Sequence, residues 1–180
     1  MTIDPALRAR LESFLRPLYQ DLDGVSRFDD VERVEAMARR FYAGDDLAFE
    51  LLLLFHGLGR WLEKVGNLSR AVLTIGISEG DLRATAYSIR GLDDPSTDAE
   101  RAVAAALLID SAGVRGLAER LARSRREGSS VLDVVRHALA DAEEPAWLPA
   151  SARPMLMKRR ESRRDVCRRI LDEMGLEDLG

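Results

Sequence analysis

Leu51 to Lys64 reads LLLLFHGLGRWLEK, and the reading of this stretch decides the fold. Leu47, Ala48 and Phe49 lead into it, and through Leu54 the segment is apolar on every side of a helix. A helix without a polar face is buried all round, so this one is expected at the centre of the molecule. Asp45 or Asp46 stands where a cap is needed, and the helix is expected to run to Val65 with Gly66 as its stop. The strongly apolar part, Leu47 to Leu58, is too short to span a bilayer. One histidine and two glycines, His56, Gly57 and Gly59, interrupt it. The glycines fall inside a helix rather than after a strand, so they are no phosphate or dinucleotide fingerprint. His56, Arg60 and Lys64 follow at four-residue spacing and are expected on one helix face.

Outward from this helix, nearly every segment repeats apolar residues at helical spacing and none alternates like a strand. Asp4 and Pro5 read as a cap and a first-turn proline, opening a helix to about Leu22 that bends at Pro17. Asp29 opens the next, with Val31, Val34, Met37, Ala38 and Phe41 as its buried stripe and Gly44 as its end. Short helices are expected over 67–75 and 79–90, punctuated by Gly76 and Gly91. Thr97-Asp98-Ala99-Glu100 is a capping box that opens a helix through Leu108. Gly113 and Gly116 interrupt the next segment, which continues to about Ser124. Ser129 or Ser130 caps a helix to about Ala142, the proline-rich stretch 143–154 is a surface loop, and a last helix covers about 154–174. The chain is therefore expected to be all-α: one helical-bundle domain over 1–180, with about eight or nine helices and an N-terminal helix within 1–24.

With 180 residues, 46% hydrophobic and 32% charged, the chain is long enough for one substantial core. A net charge of −4 argues against a nucleic-acid or membrane-surface partner. Cys167 is the only cysteine, and the N-terminus lacks a basic stretch followed by an apolar one, so a reducing, cytoplasmic location is expected. Two histidines and one cysteine cannot build a zinc site of the Cys/His type. His137, in VVRHALADA, reads as a surface residue, and Cys167, beside Val166 and Ile170, as part of a buried stripe. The last helix carries Lys158, Arg159, Arg160, Arg163, Arg164, Arg168 and Arg169, interspersed with Glu161 and Asp165. These read as a solvated face whose acidic neighbours blunt the field.

Three segments, in order along the chain, carry a resemblance. Leu53-Leu54-Phe55-His56-Gly57-Leu58-Gly59-Arg60 has the frame of an apolar run, a His-Asp doublet, a small apolar residue, Gly and a basic residue, with Gly57 in the aspartate's place. Asp30-Val31-Glu32-Arg33-Val34 keeps an Arg-Val pair three residues after a position where a histidine is usual. Ile109-Asp110-Ser111-Ala112-Gly113-Val114-Arg115-Gly116-Leu117-Ala118 is similar to a segment that follows a distal metal-binding aspartate, whose own position falls on Leu107. Over about 25–175 the chain resembles the HD-domain family of metal-dependent phosphohydrolases, which are all-helical. Some members also place a histidine near Leu92, and none stands here.

The resemblance implies four ligand positions, which here read Asp30, His56, Gly57 and Leu107. Only Asp30 and His56 carry donor atoms, and a catalytic divalent cation wants several ligands from different helices. The implied protein is a degenerate, phosphohydrolase-like member: a pseudoenzyme with no catalytic residue, no metal and no cofactor. It is expected to bind a phosphorylated small molecule or nucleotide through His56, Arg60, Arg33 and Asp30, or to act as a regulatory module. Some arginines of the last helix are expected to line the same cleft, because the family's C-terminal helix packs near it. One alternative is a working phosphohydrolase in which Asp110 or Glu50 joins Asp30 and His56 around manganese or nickel. Another is a helical partner-binding domain, paired as a homodimer through exposed Phe14, Tyr19 and Trp147.

Overall fold

The computed structural model describes residues 3–21, 28–64, 66–140 and 142–176. Among these the chain forms ten α-helical segments and no β-strand. Two of the ten are successive parts of one path, so the all-α expectation with eight or nine helices is met. No described helix is long and apolar enough to cross a membrane. The residues fall into two compact units, Met1–Ala106 and Leu107–Gly180.

The first unit contains α1 (Pro5–Asp21), α2 (Phe28–Ala38), α3 (Leu47–Phe55), α4 (Gly59–Leu62), α5 (Asn67–Ile75) and α6 (Glu79–Arg90). As its apolar circumference demands, α3 is central: Phe49, Leu51, Leu52, Leu53, Leu54 and Phe55 are all buried. Leu11, Leu15 and Tyr19 of α1, Phe28 and Val31 of α2, and Leu82 and Ala86 of α6 complete the core around it. Each such side chain stabilises the fold by about 1.5–3 kcal/mol relative to leaving it exposed. Asp46 caps α3 by accepting from the Phe49 N–H at 2.9 Å.

Buried within this apolar helix is one charge. The Glu50 carboxylate, 2% exposed, is held by Arg8 of α1, whose Nη1 donates to it at 2.6 Å, and by Arg39 just past α2. The same two arginines bind Glu35, and Arg8 also reaches Glu12 at 2.9 Å. Burial opposes every one of these charges, yet the hydrogen bonds outweigh it: Glu35 titrates below, and Arg8 and Arg39 above, their usual ranges. The network ties three helices together through one acid.

Several boundaries differ from expectation. The helix opened by Phe28 ends at Ala38 and turns over 39–41, well before Gly44. The central helix does not continue to Val65, which lies outside the described residues, as does Leu22 at the expected end of α1. It stops at Phe55, passes through a 3-10 turn, His56–Leu58, and resumes only as α4. Gly66 is left-handed at φ 88°, the conformation that favours glycine, and leads into α5.

α7 (Asp98–Ala112) opens on the expected capping box: the Thr97 N–H donates to Glu100 at 3.0 Å, and the Glu100 N–H donates to Thr97 Oγ1 at 3.1 Å. Burial would raise the Glu100 pKa, but hydrogen bonds from Ser88, Ser96 and Thr97 win and hold it down at about 2.

The second unit contains α8 (Val114–Glu127), α9 (Val131–Leu139) and α10 (Arg153–Glu173), packed around Leu117, Val135, Ala138, Cys167 and Leu171. Gly116 meets the backbone carbonyl of Ser111 so closely that a Cβ would overlap it, which is what lets α8 start directly after α7. Pro154 sits in the first turn of α10, where its missing N–H costs nothing.

Candidate functional site

The turn at His56 is built by two side chains that enter the hydrogen-bond ladder of α3. In an uninterrupted helix the Leu53 and Leu54 carbonyls would accept from residues four further on. Here His56 Nδ1 lies 2.7 Å from the Leu53 carbonyl. A carbonyl only accepts, so Nδ1 carries the proton. The Tyr19 hydroxyl donates to the Leu54 carbonyl at 2.9 Å and accepts from the Gly57 N–H at 3.3 Å. Insertion of side chains into the i→i−4 ladder is a recognised cause of a helix break. His56, Arg60 and Lys64 therefore do not follow one α-helical face as the spacing predicted.

Tyr19 also explains Gly57. A Cβ on Gly57 would stand 2.9 Å from Cε1 of the Tyr19 ring, closer than real contacts allow. The ring is 1% exposed and packs edge-on against Phe28, with centroids 6.0 Å apart. Burial raises the Tyr19 pKa above the usual phenol range, the Gly57 N–H pulls it back in part, and the charge of Asp30 raises it further. Tyr19 is thus a core residue and not the exposed aromatic a dimer face would use. Phe14 is half-buried against Trp61, with ring centroids 5.8 Å apart, and Trp147 is half-buried.

Of the four residues expected to bind a ligand, two meet directly: Arg33 Nη2 donates to Asp30 Oδ1 at 3.2 Å on successive turns of α2. The Asp30 charge reaches the Tyr19 hydroxyl, which bonds Gly57, the neighbour of His56. His56 is half-buried with its Nδ1 committed to Leu53, and Arg60 is exposed. The phosphohydrolase metal does not fit the residues present. The Tyr19 ring fills the space in which a carboxylate from position 57 would project. Glu50 is committed to Arg8 and Arg39. Among the described residues, no three His, Cys, Asp or Glu side chains gather as a metal-binding group.

A different set of residues converges in the second unit. Leu156, Arg160, Arg163, Cys167 and Leu171 are the buried positions of α10, and their spacing is that of a single helical stripe. Arg160 is 6% exposed and Arg163 5%, so these two arginines do not belong to the solvated face expected for the helix. Together with Arg120 of α8 they line an open cavity of about 380 Å³, bordered by Leu108, Ser111 and Ala112 at the end of α7 and by His137 of α9. No acidic side chain is among the described lining residues. Arg160 donates to the Ala142 carbonyl at 2.9 Å, and Arg120 donates to the Gly116 and Ser111 carbonyls at 3.3 Å each.

The electrostatics of this cavity are those of crowded like charges. Burial first, and then the Arg163 charge, lower the Arg120 pKa. Burial lowers that of Arg163, Cys167 opposes the shift, and the Arg160 charge adds a lesser lowering. The Cys167 thiol itself is raised by burial despite both arginines, which keeps it protonated and inert. His137 is exposed, as expected, yet stands at the rim. The signal for the two arginines was present in the sequence: they occupy the i, i+4, i+7, i+11 register that Leu156 begins and Cys167 and Leu171 continue.

No family model, curated protein or solved structure matches the chain.

Proposed function

We propose that this chain is a non-catalytic binding protein for a phosphorylated small molecule, and that the phosphate enters the cavity lined by Arg120, Arg160 and Arg163. The observation that carries the reading is the convergence of three guanidinium groups on one cavity, two of them almost wholly buried. Gathered guanidinium groups sum their positive potential, which favours an anion in their midst. Guanidinium forks match phosphate oxygens in pairs and bind them more strongly than neutral donors do. A volume of about 380 Å³ falls in the range of small-ligand sites. The ancestry we propose is a degenerate HD domain. Its support is the ordered resemblance through His56, Arg33 and Leu107, and the filling of the doublet position by Tyr19 accounts for the loss of catalysis. A cytoplasmic location accords with the single, buried cysteine.

Thermal melts test the reading against its rival. Millimolar inorganic phosphate should raise the melting temperature, since a ligand that binds only the folded state stabilises it by RT ln(1 + [L]/Kd). Manganese or nickel should add nothing and should release no phosphate from generic phosphoesters. Metal-dependent turnover would replace the binding protein with the phosphohydrolase.

A further inference from the structure

Beside the arginine-lined cavity lies a second hollow of about 320 Å³, and Arg120 and His137 line both. The two spaces are therefore neighbours that share a pair of lining side chains. Their chemistry differs. The second is bordered by Arg123 and Glu127 near the end of α8, by Ser129, and by Asp133 at the start of α9, and so carries two carboxylates beside the cations Arg120 and Arg123. The described residues lining the first carry none.

Resting on the phosphate reading of the first cavity, we infer that the ligand is a small polyol phosphate, its hydroxyl-bearing end seated in the second hollow. Ionised carboxylates accept hydrogen bonds and donate none, so Glu127 and Asp133 suit groups rich in O–H donors, while Arg123 beside them offers N–H groups to the hydroxyl oxygens. The ligand is thereby oriented: anion toward Arg160 and Arg163, hydroxyls toward Asp133, with Arg120 and His137 flanking the ester linkage. A nucleotide suits the pair less well. Its base needs an apolar or aromatic face for stacking, and no described residue lining either hollow is a Phe, Tyr or Trp. Each hollow lies near the lower end of the volume range for ligand sites, so the two together accommodate a phosphorylated sugar of five or six carbons.

Calorimetric titration of the full chain with inorganic phosphate, ribose 5-phosphate, ribose and adenosine monophosphate tests this. Ribose 5-phosphate should bind about tenfold more tightly than inorganic phosphate, equivalent to roughly 1.4 kcal/mol of added contact. In the double variant Asp133→Ala, Glu127→Ala the ratio of the two affinities should fall to about one. Both side chains are exposed, so the variant is expected to fold, and its circular dichroism verifies that. A ribose 5-phosphate no tighter than phosphate, or a ratio that survives the double variant, overturns the polyol assignment while leaving the phosphate site in place. Adenosine monophosphate binding more tightly than ribose 5-phosphate overturns it in favour of a nucleotide. If none of the phosphorylated probes binds, the phosphate reading itself is wrong.

Discussion

Replacing Gly57 by alanine probes the contact that shapes the turn after α3. The new Cβ would stand 2.9 Å from Cε1 and 3.2 Å from the hydroxyl of Tyr19, and the ring is boxed in by the core. Forcing an extra methyl into a packed site costs about 1–3 kcal/mol. Gly57 is not one of the positive-φ glycines, so alanine also restricts the unfolded chain and returns about 0.4–1 kcal/mol. The net expectation is a loss of about 1–2 kcal/mol, read as a lower urea midpoint at unchanged slope. The informative experiment is the cycle with Tyr19. In a Tyr19→Leu background no ring atom opposes the methyl, so Gly57→Ala should be neutral or stabilising by up to about 1 kcal/mol. In a Tyr19→Phe background the ring remains while the bonds to Leu54 and Gly57 are lost. There Gly57→Ala should cost as much as in the parent. Additive effects across the Leu cycle, or a stabilising Gly57→Ala in the parent, would refute the claim that Tyr19 dictates glycine at this position.

Two further outcomes follow from the first unit. Against burial, hydrogen bonds from Ser88, Thr97 and Ser96 hold the Glu100 pKa at about 2, against about 4.3 in an unfolded chain, so together they contribute at most about 3 kcal/mol above that unfolded value. Because the folded pKa is the lower one, this stability should be lost as pH falls from about 4.5 toward 2. Glu100→Gln should flatten that part of the stability–pH curve, as measured by thermal melts across the acid range. Glu50→Gln should destabilise by about 1–3 kcal/mol, because it removes the buried charge that Arg8 and Arg39 bond, while Glu35 still pairs both arginines. A loss under about 1 kcal/mol in chemical denaturation would assign the network to the solvated surface class instead.

What could be read from the sequence divides along the distance over which each feature is decided. Asp46 and the Thr97–Glu100 box are local devices, whose partners lie within three residues, and both stand where the sequence predicts. The centrality of α3 was equally legible, because it depends only on the apolar circumference of its own residues. The break at His56 was not. It depends on Tyr19, 38 residues before Gly57, whose ring and hydroxyl no local pattern announces. That same ring leaves an aspartate at 57 without room, so placing one there requires a smaller residue at 19 as well. Arg160 and Arg163 failed for a different reason. Charge ordinarily signals exposure, whereas their spacing with Leu156, Cys167 and Leu171 places them on the buried stripe. Long arginine side chains bury their stems and can be enclosed where their heads find acceptors or anions to meet.

The account stands most directly on whether the arginine cavity holds a phosphate. Isothermal titration of inorganic phosphate into the full chain at low ionic strength measures it, beside the variants Arg120→Ala and Arg163→Gln. Arg120 is exposed, so its variant serves even if the buried Arg163 position tolerates change poorly. The expected result is saturable binding at one site per chain, weakened about tenfold or more in each folded variant and reduced by added salt. Absence of binding by the parent chain, or binding equally tight in parent and both variants, would contradict it.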